Sequence, residues 1–329
     1  MAQVPGISKA QLEVRMVGQE IAGNHVVGHL ATLANPVGRV QLALPPGGCG
    51  NRELTTVTAK SHSPFCKLAI NAGYFNVSDG ACIGNVVSHG QIVQTVPLAQ
   101  GNVNFGVKEG KFYIGYLKPE EMQGFEMLVS GVVWLVRDGK NNVERGWKEA
   151  NITVQTSGSK YATNLASRTA VGYDAMGRLM IVQVDGSIAV GDNKRGMDMA
   201  QVANLLIQHG AVEAINLDGG GSSAMAHNGV LISYPSDNQP PSCDESGLFQ
   251  CERPVSTVLC IHEQEALASG SNGSFVGMSP GMYLAAGSLL FALGALGSML
   301  FTRYGNFADG FERQLSTEST VSVRNVRKT

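Results

Sequence analysis

The chain has 329 residues, enough for one large domain or two ordinary ones. Its net charge of −2 and its pI of about 6.4 exclude a strong bulk attraction for nucleic acid, so no nucleic-acid partner is expected. Only 15% of the residues are charged, whereas 43% are apolar and 41 are glycine. This composition favours a turn-rich β protein with a membrane-bound portion.

The N-terminal half predicts a series of short strands. Residues 26–33 and 37–44 alternate apolar and polar side chains ahead of a Pro/Gly loop. Residues 67–76 indicate a buried strand that runs into a polar loop. Three further runs show β-branched or aromatic alternation, with turns such as Glu109-Gly110 and Asp138-Gly139: residues 84–94, 103–117 and 130–140.

The second half adds another hairpin and the clearest helix. Residues 167–186 predict two strands joined by a turn at Asp174–Gly177. Asp198–His209 has helical apolar periodicity, with Asp198 as its cap and Gly210 at its end. Two more strands, 211–217 and 256–262, follow. The fold class predicted is α+β: a mixed, largely antiparallel β-sheet core with packed helices, plus one C-terminal transmembrane helix.

Residues 282–301 form an uncharged stretch that predicts a single membrane span, since twenty helical residues reach about 30 Å. Arg303 follows directly, while the twenty residues before the stretch carry no Lys or Arg. The positive-inside rule then places the tail in the cytoplasm. The predicted organisation is a lumenal domain at 1–265, a linker at 266–281, the span, and a tail at 302–329. Gly294 and Ser298 offer a small-residue packing cue that leaves a homo-oligomer open.

A lumenal domain predicts disulfides and glycans. The chain has six cysteines without a C-x-x-C pair, and six allow 15 pairings that sequence alone does not decide. The pairing we favour is Cys243–Cys251, Cys49–Cys82 and Cys66–Cys260. N-glycosylation sequons occur at Asn76, Asn151 and Asn272. The first twenty residues lack the apolar stretch of a signal peptide, so we expect that the natural start lies upstream or was misassigned.

The stretch AINLDGGGSSAM, residues 214–225, is the strongest candidate for chemistry. Its strand end and glycine-rich turn would present an amide, a carboxylate, hydroxyls and backbone N–H groups together, and such a turn can bind a phosphate or an oxyanion. The pattern fits neither a nucleotide P-loop nor a hydrolase nucleophile elbow. A plain turn remains the alternative. The candidate residues are Asn216, Asp218, Gly219, Gly220, Gly221 and Ser222.

Three other segments carry candidates with two interpretations each. In NAGYFN, Asn71, Gly73 and Tyr74 could contact a sugar or serve as turn and core residues. Arg168, beside Thr169, is either a bidentate phosphate clamp or a salt-bridged arginine at a strand edge. Asp185 ends another strand and could equally be a turn residue. The seven histidines show no H-x-H or H-E-x-x-H spacing, so we expect no metal site and no cofactor.

The order of motifs resembles the phosphodiester glycosidase family over roughly residues 20–263: NAGYFN, GACIGNVVS, SGVVWLVRDG, SRTAVGYD, AINLDGGGSSAM, NGVLISYPSD and CERPVSTVLC. The resemblance implies a single-pass Golgi membrane enzyme with a lumenal catalytic domain. Its implied activity removes N-acetylglucosamine (GlcNAc) from GlcNAc-α-phospho-mannose diesters, exposing mannose 6-phosphate. The implied partners are phosphorylated N-glycans of lysosomal glycoproteins. The matching motif positions are Asn71, Gly73, Arg168, Thr169, Asp185, Asn216, Asp218, Gly219, Gly220, Gly221 and Ser222.

The hypothesis for chemistry needs only one carboxyl group. The leaving group is a phosphate monoester with a pKa of about 6, which departs with little need for protonation. Asp218 is then the nucleophile or water-activating base, with Asp185 as second candidate. Arg168 and the backbone of 219–222 would hold the phosphate, and Asn71 and Asn216 the sugar. The rival hypotheses are a membrane-tethered phosphoglycan-binding lectin without catalysis and a structural ectodomain stapled by disulfides.

Overall fold

A computed structural model describes residues 11–21, 23–62, 65–97, 102–150, 160–187, 195–237 and 251–262. All of these belong to one compact unit, residues 1–266. The predicted linker, membrane span and tail lie outside the described residues, as do Cys243, Asn151 and Asn272. Within the described residues, no helix is long and apolar enough to cross a membrane.

Strands dominate the described part of the chain, and three α-helices accompany them. The strands are β1 (Leu12–Ile21), β2 (Asn24–Leu33), β3 (Val40–Ala43), β4 (Cys66–Asn71), β5 (Val86–Ser88), β6 (Gln91–Gln94), β7 (Asn104–Lys108), β8 (Lys111–Gly115), β9 (Phe125–Ser130), β10 (Trp134–Arg137), β11 (Lys140–Asn141), β12 (Arg168–Asp174), β13 (Leu179–Val184), β14 (Ala211–Asn216), β15 (Met225–His227), β16 (Val230–Leu231) and β17 (Val258–His262). The helices are α1 (Thr55–Ser61), α2 (Val143–Glu149) and α3 (Met199–Gln208).

These strands form three sheets. The largest has seven strands in the order β1-β2-β13-β12-β14-β10-β11, and two five-stranded sheets have the orders β16-β15-β4-β17-β3 and β6-β5-β9-β7-β8. All the pairings in the described residues are antiparallel. The prediction of a largely antiparallel β-sheet core is therefore confirmed, and the helices in the described residues are few.

Alternation along the strands of the large sheet builds a core on each face. Val171 and Ile181 point into a cluster shared with both smaller sheets. Their neighbours Ala170 and Met180 point into a second cluster, where they meet α3. Successive strand side chains point to opposite faces, so a run that is apolar on both faces must be covered on both. The large sheet is consequently the central layer of this unit.

The predicted two-residue turns and the capped helix are confirmed. Glu109-Gly110 joins β7 to β8 and Asp138-Gly139 joins β10 to β11, with φ positive at both residues of each turn. The Asp198 side chain accepts a bond from Gln201 N–H at 2.8 Å and caps α3. Gly210, with φ of 94°, follows the end of the helix.

Several elements were missed because their local patterns are weak. Strand β1 lies at a sheet edge and is largely exposed, and its alternation of Leu12, Val14 and Met16 with polar residues gives way to the run GQE at 18–20. Helix α1, TTVTAKS, is rich in β-branched residues that disfavour helix, yet its own Ala59 is fully buried. Helix α2 is stabilised by exposed ion pairs four residues apart, Arg145–Glu149 at 2.6 Å and Lys148–Glu144 at 2.7 Å.

The disulfides match the pairing that the sequence favoured. Cys49 bonds to Cys82, and Cys66 bonds to Cys260. The second bond joins the neighbouring strands β4 and β17, 194 residues apart in sequence. The third predicted pair includes Cys243, which lies outside the described residues, so it stays a prediction.

Candidate active site

The candidate site lies at one end of three interior strands of the large sheet, β13, β12 and β14. There β12 begins at Arg168 between the ends of β13 and β14, because it is the antiparallel neighbour of both strands. The segments that follow β13 and β14 flank this point on either side. Asp185 lies on the first of these segments and Asp218 on the second. The topology thus brings two carboxylic acids and an arginine to the same end of these neighbouring strands.

Asp218 is half-buried in the turn that follows β14. Its Oδ1 accepts a hydrogen bond of 2.9 Å from the Gly219 N–H, and the Ser222 side chain also hydrogen-bonds the carboxyl group. Burial raises the pKa of Asp218 to about 6, against the opposing effects of those hydrogen bonds and the Arg253 charge. A carboxyl group with such a pKa can exchange a proton close to neutral pH.

The glycine triplet forms a tight turn that packs against the guanidinium group of Arg253. Gly220–Ser222 is one turn of 3₁₀ helix, and Gly220 has a left-handed φ of 58°. The Gly220 N–H donates to Ser167 O at 2.9 Å, so part of the turn's backbone is already satisfied internally. A Cβ at Gly221 would lie only 2.6 Å from Cζ of Arg253. Glycine is therefore needed at 221 for the guanidinium to approach the backbone.

Arg253 fixes a positive charge beside Asp218. Its Nε donates to Oδ2 of the buried Asp237 at 2.7 Å. The guanidinium packs against Gly221, three residues after Asp218, and its charge lowers the pKa of the Asp218 carboxyl group. A guanidinium held in this way is suited to bind a phosphate.

Asn71, at the end of β4, ties the second sheet to the turn. Its Nδ2 donates to Asp218 O at 2.7 Å. Its Oδ1 accepts from Thr169 Oγ1 at 2.8 Å and from Ala224 N–H at 3.1 Å. Asn71 and Thr169 are fully buried, so both hold the backbone on either side of Asp218.

Tyr74 and Asn216 form a second buried network. Asn216 Nδ2 donates to the Tyr74 hydroxyl at 2.7 Å, and that hydroxyl donates to Leu217 O at 3.1 Å. The hydroxyl of Tyr161 lies 2.8 Å from that of Tyr74. Tyr74 is only 5% exposed, whereas Tyr161 is half-buried. Of these two rings, Tyr161 is therefore the better placed to contact a ligand.

Arg168 is bound by backbone carbonyl groups. It is 1% exposed; its Nε donates to Met197 O at 3.1 Å, and its Nη2 donates to Tyr161 O at 2.8 Å and Asn164 O at 2.7 Å. Its Cζ also lies 5.0 Å from the centre of the Tyr161 ring. These contacts hold the segment that carries Tyr161.

Asp185 lies across β12 from Asp218, two strand spacings or about 10 Å away along the sheet. Its Oδ1 accepts from Gln183 Nε2 at 3.0 Å and from Tyr234 N–H at 2.9 Å. Burial raises its pKa, while these hydrogen bonds and His29 oppose the rise. Asp185 therefore lies at the same end of the sheet as Asp218 but belongs to a separate hydrogen-bond network.

Known proteins are similar in sequence to most of this chain. A sequence model of the phosphodiester glycosidase family matches residues 65–262. N-acetylglucosamine-1-phosphodiester alpha-N-acetylglucosaminidase from Mus musculus is 38% identical over 268 residues, 79% of this chain and 50% of the mouse protein. The protein of the same name from Homo sapiens is 37% identical over 261 residues, 77% of this chain and 49% of the human protein. The chain belongs to the phosphodiester glycosidase family.

A solved member of the phosphodiester glycosidase family shares the fold. It is the catalytic domain of the zebrafish N-acetylglucosamine-1-phosphodiester alpha-N-acetylglucosaminidase, auto-inhibited by its pro-peptide. The TM-score is 0.67 at 37% identity, and the match covers 77% of this chain and 84% of the zebrafish one. The present chain spans about half the length of the curated relatives it matches.

The structure gathers most of the candidate site residues that the sequence suggested. One connected set surrounds the turn: Asn71, Tyr74, Arg168, Thr169, Asn216, Asp218, Gly219, Gly220, Gly221 and Ser222. Gly73 lies next to it, where its N–H donates to Thr257 Oγ1 at 2.8 Å. A Cβ on Gly73 would lie 2.9 Å from Cγ2 of Val129, so close packing explains this glycine.

Sequence reasoning missed two residues of this candidate site, Arg253 and Tyr161. Arg253 lies in CERPVSTVLC, a few residues before the apolar strand β17 (Val258–His262). The same reasoning that singled out Arg168, a long cation ahead of an apolar run, could have found it. Tyr161 follows a polar segment without periodicity, and nothing local distinguishes it. Only its contact with Tyr74 and Arg168 places it at the site.

Proposed function

We propose that this chain is a glycoside hydrolase that removes N-acetylglucosamine from GlcNAc-α-1-phospho-mannose diesters and exposes mannose 6-phosphate. Family membership and the names of the mouse and human relatives support this activity. The observation that carries the proposal is the pairing at one turn of a carboxyl group with a pKa of about 6 and a fixed guanidinium, Asp218 and Arg253.

Asp218 attacks the anomeric carbon of the sugar, or activates the water that does so. Its carboxylate form is required for either role, and a pKa of about 6 leaves that form available at neutral pH. The leaving phosphate monoester has a pKa of about 6, so its departure needs little help from a general acid. One carboxyl group therefore suffices, and Asp185 stays a second candidate on the other side of β12.

The phosphate binds where Arg253 meets the glycine turn. Arg253 can donate through its planar fork while Asp237 fixes its Nε. Arg168 was the clamp suggested by sequence, but a phosphate would have to displace the backbone carbonyls that now bind its guanidinium. In this proposal Arg168 positions Tyr161, and Arg253 carries the phosphate charge.

The sugar lies against the half-buried face of Tyr161, next to Asp218. Aromatic rings provide an apolar face for a sugar ring and a polar hydroxyl at the rim. Asn71, Asn216 and Tyr74 are buried and bonded to one another or to the turn. They position the backbone around the anomeric carbon in this scheme.

We also propose that the enzyme resides in a Golgi-type membrane with its catalytic unit in the lumen. The two disulfides support an oxidising compartment. The exposed sequon residue Asn76 is compatible with a lumenal glycan. The apolar stretch 282–301 supplies the single span in this proposal, and phosphorylated N-glycans of lysosomal glycoproteins are the natural substrates. Protease added to intact vesicles tests the orientation: it should remove the tail and leave the catalytic unit intact.

The decisive test is incubation of the purified protein with GlcNAc-α-phospho-methylmannoside. We expect release of free GlcNAc, and a fall in kcat of at least about 100-fold in Asp218→Asn, since loss of a general base or nucleophile costs this much or more. Asp138→Asn, an exposed turn substitution, is the matched control and should turn over normally.

Other outcomes separate the rivals. Saturable binding of the diester without GlcNAc release would identify a phosphoglycan-binding lectin. A folded Asp218→Asn variant with normal turnover would remove Asp218 from the mechanism.

A further inference from the structure

The segment 233–237, SYPSD, joins the two hydrogen-bond networks of the candidate site. The Tyr234 N–H donates to Oδ1 of Asp185 at 2.9 Å. Two positions later, Ser236 Oγ donates to Gly220 O at 2.7 Å. The first contact belongs to the network of Asp185 and the second to the glycine turn. The segment therefore spans the region between the two candidate carboxyl groups.

Further contacts fix both ends of this segment. At its start, the Met225 N–H donates to Ser233 Oγ at 2.9 Å. At its end, Oδ2 of Asp237 accepts from Arg253 Nε at 2.7 Å. Between them, Pro235 has a fixed φ and also restricts the backbone of the residue before it. The segment is consequently held in one conformation before any ligand binds.

Tyr234 presents an exposed aromatic side chain on this fixed backbone. Ser233 and Ser236 are buried, whereas Tyr234 is 61% exposed. Of the aromatic side chains that the structure describes, only Phe65 is also exposed. Tyrosine provides a large contact area at a low cost in conformational entropy. An exposed ring on a fixed loop beside a site is thus suited to bind part of a ligand.

The length of the chain keeps Tyr234 close to the position proposed for the phosphate. Tyr234 and Asp237 are three residues apart, so their Cα atoms are separated by at most about 11 Å. Asp237 binds the guanidinium of Arg253, to which the phosphate is assigned. The GlcNAc ring is assigned to Tyr161, which contacts Tyr74. The second sugar of the diester, which is esterified to the same phosphate, remains for Tyr234.

We propose that Tyr234 is a specificity-determining residue whose ring packs against the mannose of the GlcNAc-α-phospho-mannose diester. This inference rests on the proposed function and adds the residue that recognises the leaving group. The ring binds the leaving sugar, while Asp218 acts at the anomeric carbon of GlcNAc. Tyr234 therefore contributes to the choice of diester and takes no part in breaking the bond.

The test compares two substrates of the full-length protein. One is GlcNAc-α-phospho-methylmannoside, and the other is the matching diester in which a methyl group replaces the methylmannoside. We expect the wild type to have the higher kcat/KM for the mannoside. In Tyr234→Ala this preference should fall by about 10-fold, the size expected for loss of one aromatic contact, mainly through a higher KM for the mannoside.

Two variants serve as controls. Tyr234→Phe keeps the ring and should keep the preference for the mannoside. Phe65→Ala removes an exposed aromatic ring directly before β4, whose other end carries Asn71. It should also keep the preference, because it lies outside the site.

The outcomes distinguish this inference from the proposed function. GlcNAc release from both diesters with equal kcat/KM in the wild type would overturn the role of Tyr234 and leave the glycosidase activity established. The same preference in wild type and Tyr234→Ala would do so too. Release from neither diester would instead overturn the proposed function, on which the inference rests.

Discussion

At the scale of single residues, the environment of Asp218 determines how it can act. Its carboxyl group is enclosed by the turn it precedes, and this desolvation outweighs three favourable interactions with Ser222, Arg253 and Gly219. The result is a carboxyl group that is harder to ionise than an exposed one. Ionising Asp218 therefore costs free energy in the folded state, so the raised pKa affects both the reactivity of the site and the stability of the fold.

This connection predicts a pH dependence of stability. The folded protein binds a proton at Asp218 with a pKa of about 6, whereas the ordinary value is 3.8. Between these values the folded state holds more protons than the unfolded state, so the free energy of unfolding falls as pH rises from about 4 to 6. The loss is roughly 2–3 kcal/mol, at about 1.4 kcal/mol for each pKa unit. Urea denaturation across this range should show that slope, and Asp218→Asn should flatten it relative to Asp138→Asn.

A second prediction separates the two arginines. Arg168→Lys loses a planar set of hydrogen bonds to backbone carbonyls, and each hydrogen bond to a charged group contributes about 1.5–3 kcal/mol. We expect it to lower the free energy of unfolding by at least about 2 kcal/mol. Arg253→Lys should instead raise KM for the diester about 10-fold, because ammonium lacks the bidentate fork, and should be destabilised less than Arg168→Lys, since the Lys charge can still pair with Asp237. The reverse pattern in denaturation and steady-state kinetics would exchange the two roles.

At the scale of elements, local signals were reliable where they are chemically specific. The two-residue Glu-Gly and Asp-Gly turns accept positive φ at both positions, so they fixed their hairpins. Residues such as those of α1 have no such signal. Their helix exists because Ala59, Thr55 and Thr58 are buried against a sheet, and that sheet is assembled from strands far away in sequence.

The capping box of α3 makes this element testable. Asp198→Ala removes the acceptor for the Gln201 N–H, and loss of such a cap costs about 1 kcal/mol. We expect this decrease in a urea titration, while Asp198→Asn, which keeps a capping oxygen, should remain within a few tenths of the wild type. Equal stabilities for all three proteins would show that packing of the helix on the sheet makes the cap redundant.

At the scale of the whole molecule, covalent links join parts of the chain that lie far apart in sequence. The Cys66–Cys260 bond closes a separation of 194 residues, and Cys49–Cys82 closes one of 33. The loop-entropy model assigns roughly 3–5 kcal/mol to such bonds, with more for the longer loop.

We therefore expect the double substitution Cys66→Ser and Cys260→Ser to lower the melting temperature more than Cys49→Ser with Cys82→Ser. Calorimetry in the absence of reductant measures the difference. A larger effect of the shorter loop would mean that strain or residual structure outweighs chain entropy.

Local sequence patterns predicted the antiparallel β character, the hairpin turns, the cap of α3 and most residues of the candidate site, because these features depend on neighbours a few positions away. The contacts of each residue followed only from the folded structure. There Tyr74 is buried, Arg168 is bonded to carbonyl groups, and Arg253 packs against Gly221. Contacts between β-strands join segments that are far apart in the chain, and no local pattern shows which segments become neighbours.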